Sequence, residues 1–510
     1  MDSERFDYII VGAGSAGCAL AHRLVTTTSA SVLLIEAGTG ELPPMARDAS
    51  SWPLMLGSRY DWQHRTIPQP RAEDRAFAWP RGRIVGGCSS LNGMVYLRGA
   101  PEDYDDWERL GCTGWGFRSV LEDFRGMETA SAGASRYRGD SGPLQPRTVA
   151  ARHPLSRAMI DAAVECGHRP NDDFNAETIE GVGWNELLIQ DGRRQDLGTA
   201  LLYPLRSHPS FRLLTEATVT RLLVDRAGPR ARGVEYLAGG TITRAMAGAE
   251  VILCAGALES PRLLLLSGIG PASELGPLGI EVAVDLPGVG KNLHDHLLIG
   301  VIYEAKQAIG PLNANITEAC LFAKSAPGLA RCDIEISFVH EPMFTPGYQP
   351  PSNSYSIIPG IIRPRSRGTL TLATNDPSAP PMIDPNYLGE DADLRCLIRG
   401  IEMAREIGMA PALGAWRERE VVPGPASDGV ALESFVRRAV CTWYHPVGTC
   451  KMGVDAAAVV DPALKVRGVE GLRVADASIM PTVVSANTNA ASIMIGWRGA
   501  GLIAAARAGG

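Results

Sequence analysis

Hydrophobic and polar positions along the chain fall into three textures. At the start an unbroken apolar run at 8–11 (YIIV) meets the glycine-rich stretch GAGSAG at 12–17, and apolar residues at 18–24 then recur at helical spacing. A second apolar run at 31–35 (SVLLI) ends on Glu36. Strand, glycine turn, helix and strand make a βαβ unit, which implies a parallel sheet and a right-handed crossover. Strand-like runs recur at 211–214, 219–224 and 251–255, the last leading through a glycine turn into a helical stretch at 260–266.

Between 332 and 372 the texture changes to alternation. Residues 333–339 (DIEISFV), 354–362 and 368–372 (GTLTL) predict antiparallel strands with one face in water. From 41 to 98 the chain is rich in Pro, Arg and Gly without a period, and a connection of that length points to a segment folded over a ligand. Beyond 443 glycines return, and a final helix is predicted over 489–506. The pattern predicts an α/β fold: a Rossmann-like domain assembled from 1–150, 210–300 and 440–510, with an inserted α+β domain from 151–209 and 301–439 that carries the antiparallel sheet.

Composition narrows the function classes. A chain of 510 residues with 45% hydrophobic and 21% charged residues has ordinary globular proportions, and is long enough for two cores and a buried cofactor. The formal charge of −7 without a basic block offers a nucleic acid no footprint. No apolar run reaches the roughly 18 residues that span a bilayer. Residues 1–5 are polar and run straight into a strand, unlike a secretion signal, so a cytoplasmic protein is expected. The ten cysteines include no CxxC pair and read as small buried side chains.

The glycine turn carries the first chemistry. Gly12, Gly14 and Gly17 suit a tight turn, close approach of backbone to a pyrophosphate and close packing of helix on strand, and the helix N-terminus favours phosphate. Glu36, at the end of the next strand, suits ribose hydroxyls and disfavours a 2′-phosphate. This predicts a dinucleotide and leaves FAD and NAD equal. Ser89 and Ser90 lack the G-x-S-x-G setting of a hydrolase and suit phosphate cradling. His294 and His296 flank Asp295 without a third ligand nearby, so no metal is expected. Of nine histidines, His445 sits between Tyr444 and Pro446, just before Gly448, in a loop that can approach a flat ring.

GAGSAG, RIVGGCSSLN at 83–92, GALESPRLLLLSGIG at 256–270, PGVGKNLHDH at 287–296, YHPVGTC at 444–450 and LRVADASIMP at 472–481 occur in one chain, in this order. Together they resemble the glucose-methanol-choline (GMC) oxidoreductases over essentially the whole chain, closest to the choline-dehydrogenase-like and aryl-alcohol-oxidase-like branch. The resemblance implies FAD as cofactor and alcohol oxidation by hydride transfer to flavin N5, with oxygen or another acceptor taking the electrons. It implies that Gly12, Gly14 and Gly17, with Ser15 and Ala16, approach the pyrophosphate and that Glu36 and Ala37 meet the adenosine ribose. Arg83 and the loop Gly86, Gly87, Ser90, Asn92 and Gly93 would wrap the flavin side, and Val219 would meet adenine. Ala255, Asp476, Ala477, Asn487 and Thr488 complete the implied cofactor set, with Asp476 at the ribityl or pyrophosphate region. Leu91 stands where some members carry a tethering histidine, which implies non-covalent FAD. His445 would be the catalytic base and Asn487 its partner on the substrate oxygen, with Asn489 as rival. The family reading makes the 294–296 segment structural. Trp443 would narrow the flavin front toward aromatic or heteroaromatic alcohols, while Glu335 and Trp443 are candidates for a cation. A dehydrogenase with a quinone-type acceptor and a flavin-containing hydroxynitrile lyase stay open as alternatives.

Overall fold

The computed structural model describes residues 5–310 and 315–508, so residues 1–4 of the polar start lie outside it. Strand β1 (Arg5–Val11) ends in four buried residues, helix α1 (Ser15–Thr27) follows the turn, and strand β2 (Val32–Ile35) is buried at every position. β1 and β2 pair in parallel, Tyr8 with Val32 through Val11 with Ile35. Outside β2 lies Phe211–Leu214, and on the other side of β1 lies Thr241–Leu253. That 13-residue strand serves two pairings. Its first half runs antiparallel to Arg230–Ala238, which continues to Ala217–Asp225, and its buried end pairs in parallel with Leu472–Val474. The switch follows the sequence: the first four residues, which include Thr241, Thr243 and Arg244, are exposed, whereas Val251, Ile252 and Leu253 are apolar on both faces, as a covered parallel sheet requires. The C-terminal helix Asn489–Ala508 packs on α1, and Gly496 permits the approach: a Cβ there would lie 2.0 Å from the carbonyl oxygen of Ala16.

A second, antiparallel sheet runs in the order Arg417–Val422, Val301–Ala305, Ser354–Ile361, Ile334–Val339, Ala319–Ala323 and Gly181–Trp184. The expected wet face is absent. Ser354–Ile361 is buried at all eight positions, because helix Asp391–Met409 covers the outer face, with Gly400 seated against Pro359 and Ile334. The expected strand at 368–372 also lies elsewhere: Thr369–Thr371 forms a separate ribbon with Met382–Asp384. The inner face of the antiparallel sheet turns toward the Rossmann-like sheet. Glu335, Ser337, Val339 and Ile358 of that face line one cavity with Val11 and Ile35 of the Rossmann-like sheet. The short strand Leu297–Leu298 extends the antiparallel sheet by pairing with both Ser354–Ile361 and Cys441–Thr442, just before the loop that bears His445. Among the described residues no helix is long and apolar enough to cross a membrane.

Candidate active site

A cavity of about 580 Å³ runs between the two sheets from the glycine turn to His445. At its first end the three glycines do different work. Gly12 has φ +100°, a conformation costly for other residues, and its amide donates to the Ile35 carbonyl at 2.8 Å. A Cβ on Gly14 would have nothing within 4 Å, so the backbone there borders open cavity at the start of α1. A Cβ on Gly17 would lie 1.9 Å from the Gly12 carbonyl oxygen. Gly17 is absent from the cavity lining, and this close contact fits the packing of helix on strand that the motif calls for. Ser15 and Ala16 do line the cavity.

Glu36, 5% exposed, closes this end. Its carboxylate accepts from the amides of Ala13 (2.9 Å) and Gly38 (2.8 Å), and burial outweighs both bonds to push its pKa up to about 7. Each oxygen keeps a second lone pair for a hydroxyl donor. Ala37, Gly87, Asn92, Gly93, Val219, Ala255, Ala477 and Thr488 line the cavity as well. Gly87 presses on the turn, where a Cβ would come within 2.7 Å of Gly14 Cα. Besides Gly17, three residues of the implied set do not reach the lining. Gly86 turns the chain at φ +89°, the Ser90 hydroxyl donates to the Val85 carbonyl at 2.8 Å, and the Arg83 guanidinium lies over the Trp62 ring. Asp476 lines the cavity, and its carboxylate accepts from the amides of Gly256 and Ser478 and the hydroxyls of Ser260 and Ser478. Those four bonds fix the start of helix Gly256–Leu266 and hold the Asp476 carboxylate in the cavity wall.

The other end is a histidine pair. The rings of His445 and His296 meet edge to face with their Nδ1 atoms 3.0 Å apart, and His445 Nε2 lies 3.3 Å from Asn487 Nδ2. With the Asn487 amide donating, His445 Nε2 carries the lone pair, and its Nδ1–H donates to His296. Burial, then His296 and Arg81, hold the His445 pKa well below its ordinary value, so the ring is neutral at neutral pH. Asp295 sets the loop: it accepts from the His445 amide (2.7 Å) and from the hydroxyls of Thr442 and Tyr387 (2.5 Å each). Tyr444, a non-glycine residue at φ +63°, is held through its carbonyl, which accepts from Arg81 at 2.6 Å. Trp443 stacks on His445, the ring planes 14° apart.

Sequence reasoning missed Asp295 and His296 as parts of this end. The HDH string was visible, but the three side chains diverge. His294 places Nδ1 against the Asn292 carbonyl and accepts the Val483 amide on Nε2, whereas His296 reaches His445. Of the rival asparagines, Asn487 is the one at His445, and Asn489 accepts from the Ser15 hydroxyl at the start of α1. Asn487 Oδ1 and Asn489 Nδ2 are buried without a protein partner, one at each end of the cavity wall. Such orphaned atoms, the open face of Gly14 and the helix start fit a long polar cofactor with a phosphate in its middle.

The family model described as GMC oxidoreductase matches residues 6–298, and a second of the same description matches 364–496. Mitochondrial choline dehydrogenase of Mus musculus is 38% identical over 98% of this chain and 89% of its own. An alcohol dehydrogenase [acceptor] of Pseudomonas putida is 38% identical over 98% of this chain and 95% of its own. Among solved structures, pyridoxine 4-oxidase from Mesorbium loti superposes with a TM-score of 0.93 at 35% identity, covering 97% of this chain and 98% of that one.

Proposed function

The chain belongs to the GMC oxidoreductase family, as an FAD-dependent enzyme acting on alcohols, and from that premise we propose that it oxidises a primary alcohol to an aldehyde, with His445 as general base and Asn487 holding the substrate oxygen. One observation carries the reading: His445 Nε2 and Asn487 Nδ2 lie 3.3 Å apart in the cavity that begins at the glycine turn and Glu36. Gly14, the start of α1 and Glu36 would hold the pyrophosphate and ribose of FAD, and the bound flavin supplies the acceptor for the substrate hydride at N5. The alcohol proton goes to His445 Nε2. Asn487 donates its amide hydrogen to the oxygen on which negative charge develops. His296 fixes the tautomer, so the lone pair stays on Nε2. Among the described residues the imidazole bonds to His296 and Asn487 and to no carboxylate. Its partner is a neutral ring, because burial lowers the His296 pKa to about 3.

This base needs no deprotonation between pH 6.5 and 8, since its folded pKa lies well below 6.5. The sign is that of a buried histidine: protonation stops the reaction, and it sets in only below the ordinary histidine range. The rate of anaerobic flavin reduction divided by substrate KM is therefore expected to show no acid limb centred at or above pH 6.5. A limb there would assign the base to another group.

Trp443 beside His445 favours a slim or flat substrate, and benzyl, furfuryl and pyridoxine-type alcohols are the first to test. Bleaching of the flavin by one of them under nitrogen supports the reading. An unchanged spectrum with every alcohol, alongside cleavage of a hydroxynitrile, removes it. Repeating the reaction in air with peroxide detection, and then with a quinone, assigns the electron acceptor. Leu91 lines the cavity and offers no nucleophile, so FAD is held without a covalent bond at that position. Acid precipitation is expected to leave all flavin in the supernatant, and a yellow pellet would show a tether.

A further inference from the structure

Glu335 is a buried carboxyl in the cavity wall that the proton transfer above does not use. It is 2% exposed, its Oε1 accepts from the Ser337 hydroxyl at 3.3 Å, and its Oε2 is buried with no partner. Along Ile334–Val339, Glu335, Ser337 and Val339 alternate onto the cavity face, while Ile334 packs toward the helix Asp391–Met409. Register places Glu335 directly opposite Gly360. Paired residues of antiparallel strands share a face, with Cβ positions about 5 Å apart. At position 360 there is no side chain, and the Trp443 indole fills its place: a Cβ there would lie 2.1 Å from the ring. Glu335, Trp443 and His445 therefore follow one another along a single wall, the last two stacked.

We propose that Glu335 is a specificity-determining residue for alcohols that carry a basic nitrogen, heteroaromatic carbinols above all, and that its carboxyl donates a hydrogen bond to that nitrogen while the carbinol faces His445. This rests on the alcohol-oxidising reading and names the substrate class within it. A planar ring lying along the Trp443 indole spans the two ends of the wall. Leu298, Val339 and Ile358 supply the apolar sides. Burial pushes the Glu335 pKa up to about 8, with the Ser337 hydroxyl pulling weakly the other way, so at neutral pH the group is a carboxylic acid and hence a donor. A quaternary ammonium has no lone pair to accept that bond, and binding it would require the buried carboxyl to lose its proton.

Binding to the oxidised holoenzyme, read from perturbation of the flavin spectrum, tests the proposal independently of turnover. Benzyl alcohol and the 2-, 3- and 4-pyridinemethanols differ only in the ring nitrogen and its place. One pyridine isomer is expected to bind at least about tenfold tighter than benzyl alcohol, the scale of one well-placed buried hydrogen bond. Glu335→Leu should abolish that preference without weakening benzyl alcohol, and Glu335→Gln, which still donates, should keep part of it. Equal affinity for all four compounds overturns the proposal, as does tighter binding of choline than of any pyridine isomer. If Glu335→Leu fails to retain flavin, the isomer series on the unaltered enzyme decides. Failure of the alcohol-oxidising reading shows differently: ligands bind with the expected ranking, yet none bleaches the flavin under nitrogen.

Discussion

His445→Ala is expected to lower the rate of anaerobic flavin reduction by alcohol about 10²- to 10⁴-fold, the usual contribution of a positioned base. On the barrier this is about 3–5 kcal/mol. The loss should fall on the reduction rate more than on substrate affinity, because the proton is transferred only as the reaction proceeds. Flavin content should be unchanged, since the glycine turn and Glu36 lie at the far end of the cavity. A variant that keeps its flavin and reduces it at the original rate would falsify the assignment of His445 as base. Asn487→Ala should be milder, because it removes one hydrogen-bond donor and leaves the proton acceptor in place.

The second large effect separates two glycines that look equivalent in the motif. Gly14→Ala places a methyl where the protein has nothing within 4 Å, at an ordinary extended conformation, so the apoprotein should keep its melting temperature. The same methyl faces the cavity where the proposed reading puts the pyrophosphate, so FAD binding should fall by two orders of magnitude or more. Gly17→Ala puts a methyl 1.9 Å from a backbone oxygen, which forces α1 off the sheet. It should lower the apoprotein melting temperature as well as flavin binding. Thermal unfolding of the flavin-free variants and flavin titration together check the pair. Equal melting temperatures for the two variants would contradict this division of roles.

What the sequence made legible was local. The βαβ unit, Glu36 at its strand end, and the catalytic loop all lie within short stretches whose spacing carries the physics. Contacts made across the chain were not legible. Asp295 and His296 reach His445 over about 150 residues, and no periodicity in PGVGKNLHDH says that the second histidine turns toward YHPVGTC. Asp476 has the right residue type for a cofactor contact, and its carboxylate also bonds Gly256, Ser260 and Ser478, which only the fold brings together. Alternation in the 333–362 region correctly signals strands, but one face was read as wet because the helix that covers it comes later in the chain. Glu335 shows the same limit from the other side, since its significance depends on a glycine in the neighbouring strand.

The grip of Arg81 on the Tyr444 carbonyl has a kinetic consequence. Arg81 belongs to the aperiodic segment that also supplies Trp52, Trp62 and Gly87 to the cavity wall, so its bond to Tyr444 ties that segment to the loop bearing His445. Amide hydrogens around 444–448 should therefore exchange in step with those of residues 52–93, and flavin that quiets the segment should slow both sets together. Cofactor retention and the alignment of the base would then rise and fall as a single cooperative unit.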